Sequence, residues 1–175
     1  MAGKLSVFDF HKAEVKKLIE DEVSLYKNPV EKERAFLKWA LKNVFFKTET
    51  DFSIVDAPHD LGIDAFFELD IEDVWVIRSR YDTSHSMDAV NQFSKDFYDF
   101  KSIEIGNLDA KLRPLGKLIR EGRKAVLIYV TNNEASEDEK HNALELSVTI
   151  FDISEITYEI FYRNEEYGQA ADFIG

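Results

Sequence analysis

The 175-residue chain contains no cysteine. That excludes disulfide frameworks, thiolate metal sites and cysteine nucleophiles. Glycine (7) and proline (3) are scarce, so collagen-like and low-complexity readings fall away. There is no phosphate-binding glycine loop, no Gly-x-Gly-x-x-Gly and no Gly-x-Ser-x-Gly. Nucleotide-cofactor and serine-hydrolase chemistry therefore have no motif behind them. No apolar run approaches the roughly 20 residues of a membrane helix, and the opening Met-Ala-Gly-Lys-Leu-Ser has no apolar signal segment. A cytoplasmic protein without a membrane partner is expected. Basic residues are also short, 22 Lys+Arg against 34 Asp+Glu for a formal charge of -12. Such a balance argues against a protein that binds nucleic acid over its whole surface, because phosphate affinity comes from Lys and Arg.

What is present is the material of an ordered globular domain, 45% hydrophobic and 13% aromatic. A chain of this size buries roughly 70% of the surface its unfolded form exposes, so it needs neither disulfides nor a structural metal. The charge is unevenly spread. Residues 1–47 carry +3, 48–105 carry -10, 106–124 carry +4 and 125–175 carry -9. Two basic stretches alternate with two acidic ones.

The pattern reads as a single domain over 1–175, with helices over about 10–44, a core sheet and helix over about 50–151, and a short carboxy-terminal element over 152–175. Val15, Leu18, Ile19 and Tyr26 share a face of a helix from about 10 to 26. Asn28-Pro29-Val30-Glu31 marks the start of a second, with Asn28 as cap, Pro29 first in the helix and Glu31 reaching back. From 52 the period shortens, and 52–56, 63–69 and 74–81 read as strands joined by turn residues, the last pair across a tight acidic turn at 70–73. Val90, Phe93, Phe97 and Phe100 recur at helical steps over 87–101, capped by Ser84 or Ser86. Another helix is expected within 106–122, a doubly buried strand at 125–131, a polar stretch at 132–142, an alternating strand at 144–151, and a short helix or edge strand at 154–161. The fold class is α/β, a mixed sheet flanked by helices.

Asp60-Leu61-Gly62-Ile63-Asp64, followed after thirteen residues by Arg78-Ser79-Arg80, is the stretch that carries chemistry. Asp64 opens one strand, and Arg78 and Arg80 lie two apart on the next, on one face. If the strands pair, a carboxylate and two guanidinium groups converge, an arrangement suited to a phosphodiester: a carboxylate can hold a divalent metal and a cation can steady charge on phosphoryl oxygens.

Asp-x-Gly-Ile-Asp followed by a strand ending Arg-Ser-Arg-Tyr resembles the motif of PD-(D/E)XK restriction-endonuclease-like domains. It is most similar to the amino-terminal domain of AIPR (abortive infection phage resistance) proteins and to Mrr-like nucleases. The likeness covers most of the chain, since the order of helices and strands also matches that fold's core. It implies that Asp64 binds Mg²⁺ or Mn²⁺, that Arg78 stands at the Glu/Gln position and Arg80 at the catalytic lysine position, that Glu33 is the helix glutamate brought to the metal, and that Gln92 adds a polar contact. Two departures bear on activity. A guanidinium has no lone pair for a metal, and Arg80 keeps the positive charge but cannot serve as a base. Metal binding would then rest on Asp64 with Glu33, a backbone carbonyl, or Asp60, Asp56 or Asp82.

Each residue also has an ordinary reading. Asp60 and Asp64 suit turn chemistry, Arg78 and Arg80 suit solvated strand positions or exposed pairs with Asp70, Glu72 and Asp73, and Glu33 suits a helix surface. His59 and His85 flank the motif, and no two histidines have metal-ligand spacing. Lys111, Arg113, Lys117, Arg120, Arg123 and Lys124 are the best candidates for phosphate contact, with Lys12, Lys16 and Lys17 as a second patch, or else a solvated helix face. The leading expectation is a metal-dependent endonuclease acting on DNA, ahead of RNA, in antiviral defence. Its alternative is a catalytically degenerate nuclease-fold module that binds nucleic acid or a protein partner without cleavage. The resemblance also allows a homodimer, because nucleases of this fold often pair to cut both strands. AIPR proteins are longer, so it equally allows a chain that is one piece of a longer defence protein.

Overall fold

A computed structural model of the chain describes residues 6–45, 47, 51–55, 61–82 and 87–163. Helix α1 (Val7–Val23) begins at Ser6, whose hydroxyl accepts the Asp9 N–H while the Asp9 carboxylate accepts the Ser6 N–H. This reciprocal cap starts the helix earlier than its apolar period alone indicates. Helix α2 (Pro29–Asn43) begins as expected at Asn28, whose side chain accepts the Val30 N–H. Only the Asn28 half of the expected box forms there. A cap of either kind contributes about 1 kcal/mol.

Five strands lie in sequence order in one open sheet among the described residues. They are β1 (Ser53–Ile54), β2 (Ala65–Glu68), β3 (Asp73–Arg80), β4 (Lys124–Thr131) and β5 (Val148–Phe151). β1, β2 and β3 are antiparallel, whereas β3, β4 and β5 run parallel. The tight turn between β2 and β3 suits an antiparallel pair, and the long connections from β3 to β4 and from β4 to β5 supply the crossovers that parallel pairs need. At the turn, the Asp70 carboxylate accepts the N–H groups of Asp73 and Glu72, and these bonds hold it below its ordinary pKa. The β3–β4 crossover contains α3 (Met87–Ser102), a short turn of 3₁₀ helix at Ile105–Asn107 and α4 (Arg113–Arg120). α4 is the helix expected within 106–122, and Pro114, which has no N–H with which to continue a helix from upstream, stands in its first turn.

α5 (Glu137–Glu145) crosses from β4 to β5. The polar stretch at 132–142 concealed it, because its only buried residue is Ala143; the helix is started by a reciprocal cap between Ser136 and Glu139. β5 is correspondingly shorter than the expected 144–151. α6 (Ile153–Tyr158) settles the last element as a helix, continued by a wider π turn at Glu159–Arg163. Its cap Asp152 is fully buried, accepts the Ala135 and Glu155 N–H groups and pairs with Lys140.

Strand alternation separates two hydrophobic layers. Phe66, Val74, Val76, Leu127 and Tyr129 pack against α3, α4 and α5 through Phe93, Phe97, Leu115 and Ala143. Ala65, Phe67, Ile77, Ile128 and Val130 pack against α1, α2 and α6 through Ile19, Phe36, Leu41 and Ile156. β4 is buried on both faces as its composition implies. No helix among the described residues is long and apolar enough to cross a membrane.

Candidate functional site

The β2–β3 pairing brings the two halves of the motif together. Asp64, immediately before β2, donates its N–H to Ile77 O (2.8 Å), and its Oδ2 accepts the Ser79 N–H (2.8 Å). The carboxylate is thereby fixed on the main chain of the buried residue between the two arginines. Arg80 Nη1 lies 3.3 Å from Glu33 Oε1 of α2, both groups being partly exposed. Asp64, Arg78, Arg80 and Glu33 line a single pocket of about 270 Å³, together with Arg34, Leu37, Ile54, Val55 and Ser79. The pocket lies at the carboxyl end of β3.

Tyr129 reports the same convergence from below. It stands beside Arg78 in the parallel β3–β4 register, and burial raises its pKa while Arg80 and Arg78 pull it down and Glu33 and Asp64 push it up. All four charges therefore act on one phenol. Arg78 has a further peculiarity, since its Nε is buried and has no hydrogen-bond partner. Leaving such a donor unmade costs about 1–3 kcal/mol.

The other predicted residues lie elsewhere. Gln92 is exposed on α3 and donates to Asp96 Oδ1 (2.7 Å). The basic run sits at the opposite end of the sheet: β3 and β4 are in register from Asp73 beside Lys124 to Arg80 beside Thr131, so roughly 23 Å of strand separates Lys124 from Arg80. Arg113 and Arg120 donate to the carbonyls of Leu108 and Ile103, and Arg123 donates to Asp70 O and pairs with Glu68 (2.7 Å). Lys111 is exposed, and Lys117 lines a separate groove with Phe66, Glu68 and Leu118. Of the second patch, Lys12 pairs with Glu134 and Lys17 with Asp21. Asp82 is tied to Asn132 by two hydrogen bonds. The ordinary reading of Arg78 and Arg80 as partners of Asp70, Glu72 or Asp73 is overturned, because the length of β3 separates them and Arg123 takes Asp70. Asp56, Asp60, His59, His85, Ser84 and Ser86 lie outside the described residues.

Sequence reading missed Arg34. Arg34 follows Glu33 directly and lines the same pocket, but nothing in a helix period marks the facing position across a sheet edge.

The donor set among the described residues does not fit Mg²⁺ or Mn²⁺. The pocket has three arginines to two carboxylates, Glu33 already faces Arg80, and no group of three or more His, Cys, Asp or Glu is placed to hold a metal among the described residues. A hard divalent cation needs several oxygen ligands. Three guanidinium groups around two carboxylates instead suit an anion. No family model, no curated protein and no solved structure matched the chain.

Proposed function

We propose that the chain is a degenerate nuclease-fold module that binds the phosphodiester backbone of nucleic acid, DNA ahead of RNA, in the Asp64–Arg78–Arg80 pocket without a metal-dependent cut. The convergence of three arginines and two carboxylates, among the described residues, on one pocket carries this reading. Arginine presents a planar fork that matches two phosphate oxygens and stays charged at any working pH. Asp64 holds the β3 main chain between the arginines, and Glu33 steadies Arg80. The resemblance to AIPR amino-terminal domains supports the nuclease-fold part of the proposal and is the sole basis for a defence setting. Such a module would serve a homodimer, or the remainder of a longer defence protein, as its contact with the target.

A second reading, metal-dependent endonuclease activity, is favoured by Asp64 and Glu33 lining one pocket. It needs further ligands from the 56–60 stretch. One experiment separates the two. A fluorescent DNA duplex, its single strand and the matching RNA are titrated with the protein in EDTA, then incubated with Mg²⁺ or Mn²⁺ and resolved on a gel. The degenerate module binds in EDTA, loses about tenfold or more in affinity with Arg78→Ala, and leaves the strands intact. Cleavage that disappears in Asp64→Ala would establish the endonuclease instead, and absence of binding to all three probes would sink both.

A further inference from the structure

We infer that α2 carries a track for one strand of nucleic acid: the backbone leaves the pocket past Arg34 and runs along Lys38 and Lys42, while acids on the other side of the same sheet end turn a duplex away. This rests on the proposed phosphodiester pocket.

The helical period puts Val30, Arg34, Lys38 and Lys42 in one row of α2, four residues apart. Val30 and Arg34 line the pocket, so the row begins inside it. Lys38 and Lys42 are exposed, and neither forms an ion pair with another described residue. Successive members of the row stand about 6 Å apart along the axis, a step of the order of that between neighbouring phosphates of one strand. The direction of α2 also fits. Glu33, near its start, meets Arg80 at the carboxyl end of β3 (3.3 Å), whereas Phe45, just past its end, packs on Trp75 near the amino end with ring centres 5.7 Å apart. The row therefore descends the flank of the sheet, away from the strand ends. Residues 27–42 hold five basic and two acidic groups, a charge of +3.

Across β3 the sign reverses. Asp82, two residues past Arg80, lines a neighbouring pocket with Glu20, Glu134 and Lys16. The chain leaving β4 holds five acidic groups and one lysine over 132–145, a charge of -4, and that lysine, Lys140, is committed to Asp152 and Glu155. Glu137 and Asp138 are exposed at the start of α5. The end of β4 is only about 4.8 Å from that of β3, inside the roughly 8 Å over which charges act at physiological salt. A duplex carries one charge per about 1.7 Å of its axis and stays straight over about 50 nm. It cannot set one phosphate in the pocket without carrying others over these acids. A single strand bends freely and can turn down α2. Attraction on one flank and repulsion on the other thus select the single strand.

The test titrates the whole chain in EDTA, at several salt concentrations, into a fluorescent DNA single strand of about twelve nucleotides, long enough to cover the row, and into its duplex. The single strand is expected to bind about tenfold or more tightly than the duplex. Lys38→Gln with Lys42→Gln should weaken single-strand binding about tenfold and lower its salt slope by about 1.4, two contacts at about 0.7 each. Lys32→Gln removes a charge two residues off the row and should change affinity less than about twofold. Glu137→Lys with Asp138→Lys should narrow the gap between duplex and single strand. If the Lys38 and Lys42 variant binds the single strand as tightly as the unaltered protein while Arg78→Ala abolishes binding, the track is overturned and the pocket stands. If that variant loses binding while Arg78→Ala keeps it, the pocket reading falls, and with it a track that begins in the pocket. Equal affinity for duplex and single strand, or an equal loss in Lys32→Gln, shows a diffuse field in place of a row and overturns the inference. Absence of binding to both probes overturns the pocket and the track together.

Discussion

The two ends of the β3–β4 pair both carry arginine, yet they put it to opposite uses. At the amino end, Arg123 spans the acidic turn by donating to Asp70 O and pairing with Glu68, while Arg120 and Arg113 close carbonyls of the preceding loop. These guanidinium groups act as struts. At the carboxyl end, Arg78 keeps a buried donor unmade and Arg80 shares only a partly exposed contact with Glu33. The segment with the higher density of positive charge is therefore the one whose arginines are most fully engaged in holding the fold. The strongly acidic segment supplies the arginine whose donor stays unmade. Density of charge along a sequence measures the field far from the protein; the availability of a donor is decided by its immediate neighbours.

The largest expected effect that would break this contrast is at the carboxyl end. Arg78→Ala with Arg80→Ala should lower affinity for duplex DNA by about a hundredfold or more, from two charge-assisted contacts, and should flatten the dependence of affinity on salt by about two contacts' worth. Titrations at several salt concentrations read both quantities. If Lys111→Ala with Lys117→Ala costs as much, the amino end is the interface after all.

A smaller effect sharpens the other side. Arg123→Ala should destabilise the fold by about 1–2 kcal/mol through loss of its carbonyl bond and the Glu68 pair. DNA affinity should stay unchanged. Thermal melts and the same titration check the two halves of that statement, and a fall in affinity at unaltered stability contradicts the strut role.

The smallest effect concerns Glu134, which follows β4 beside the carboxyl end. Its pKa is held below the ordinary carboxylate value, first by the hydrogen bond from Lys12, with burial opposing, and then by the Lys12 charge. The folded value is depressed, so its contribution to stability is complete above the unfolded-state pKa and lost as the pH falls through the folded value. Lys12→Met should remove that part of the acid sensitivity as the pH falls through and below the ordinary carboxylate range. Melting temperatures of both proteins across that range should converge on acidification. Failure to converge would mean that Lys12 is available to a ligand rather than committed to Glu134.

Much of the fold was legible where one period dominates. Val90, Phe93, Phe97 and Phe100 all turn out buried in one layer, and the apolar run at 125–131 is the central doubly covered strand. α5 was illegible because a single buried alanine leaves no stripe to read. The candidate site was half legible. Spacing of two on a strand placed Arg78 and Arg80 in the pocket, and Asp64 met them because an acidic turn closes β2 onto β3. Arg34 comes from α2, at a separation along the chain that no period encodes.

The sequence by itself determined the class of the fold, the antiparallel start and the parallel finish, because connection lengths and side-chain period are local properties. It also determined that no thiol chemistry is available. Only the tertiary structure decided which cations are spent and which are left. Whether a guanidinium finds a carbonyl, a carboxylate or nothing depends on atoms brought within about 3 Å by packing, and that contact is set by how helices seat on the sheet rather than by neighbours along the chain.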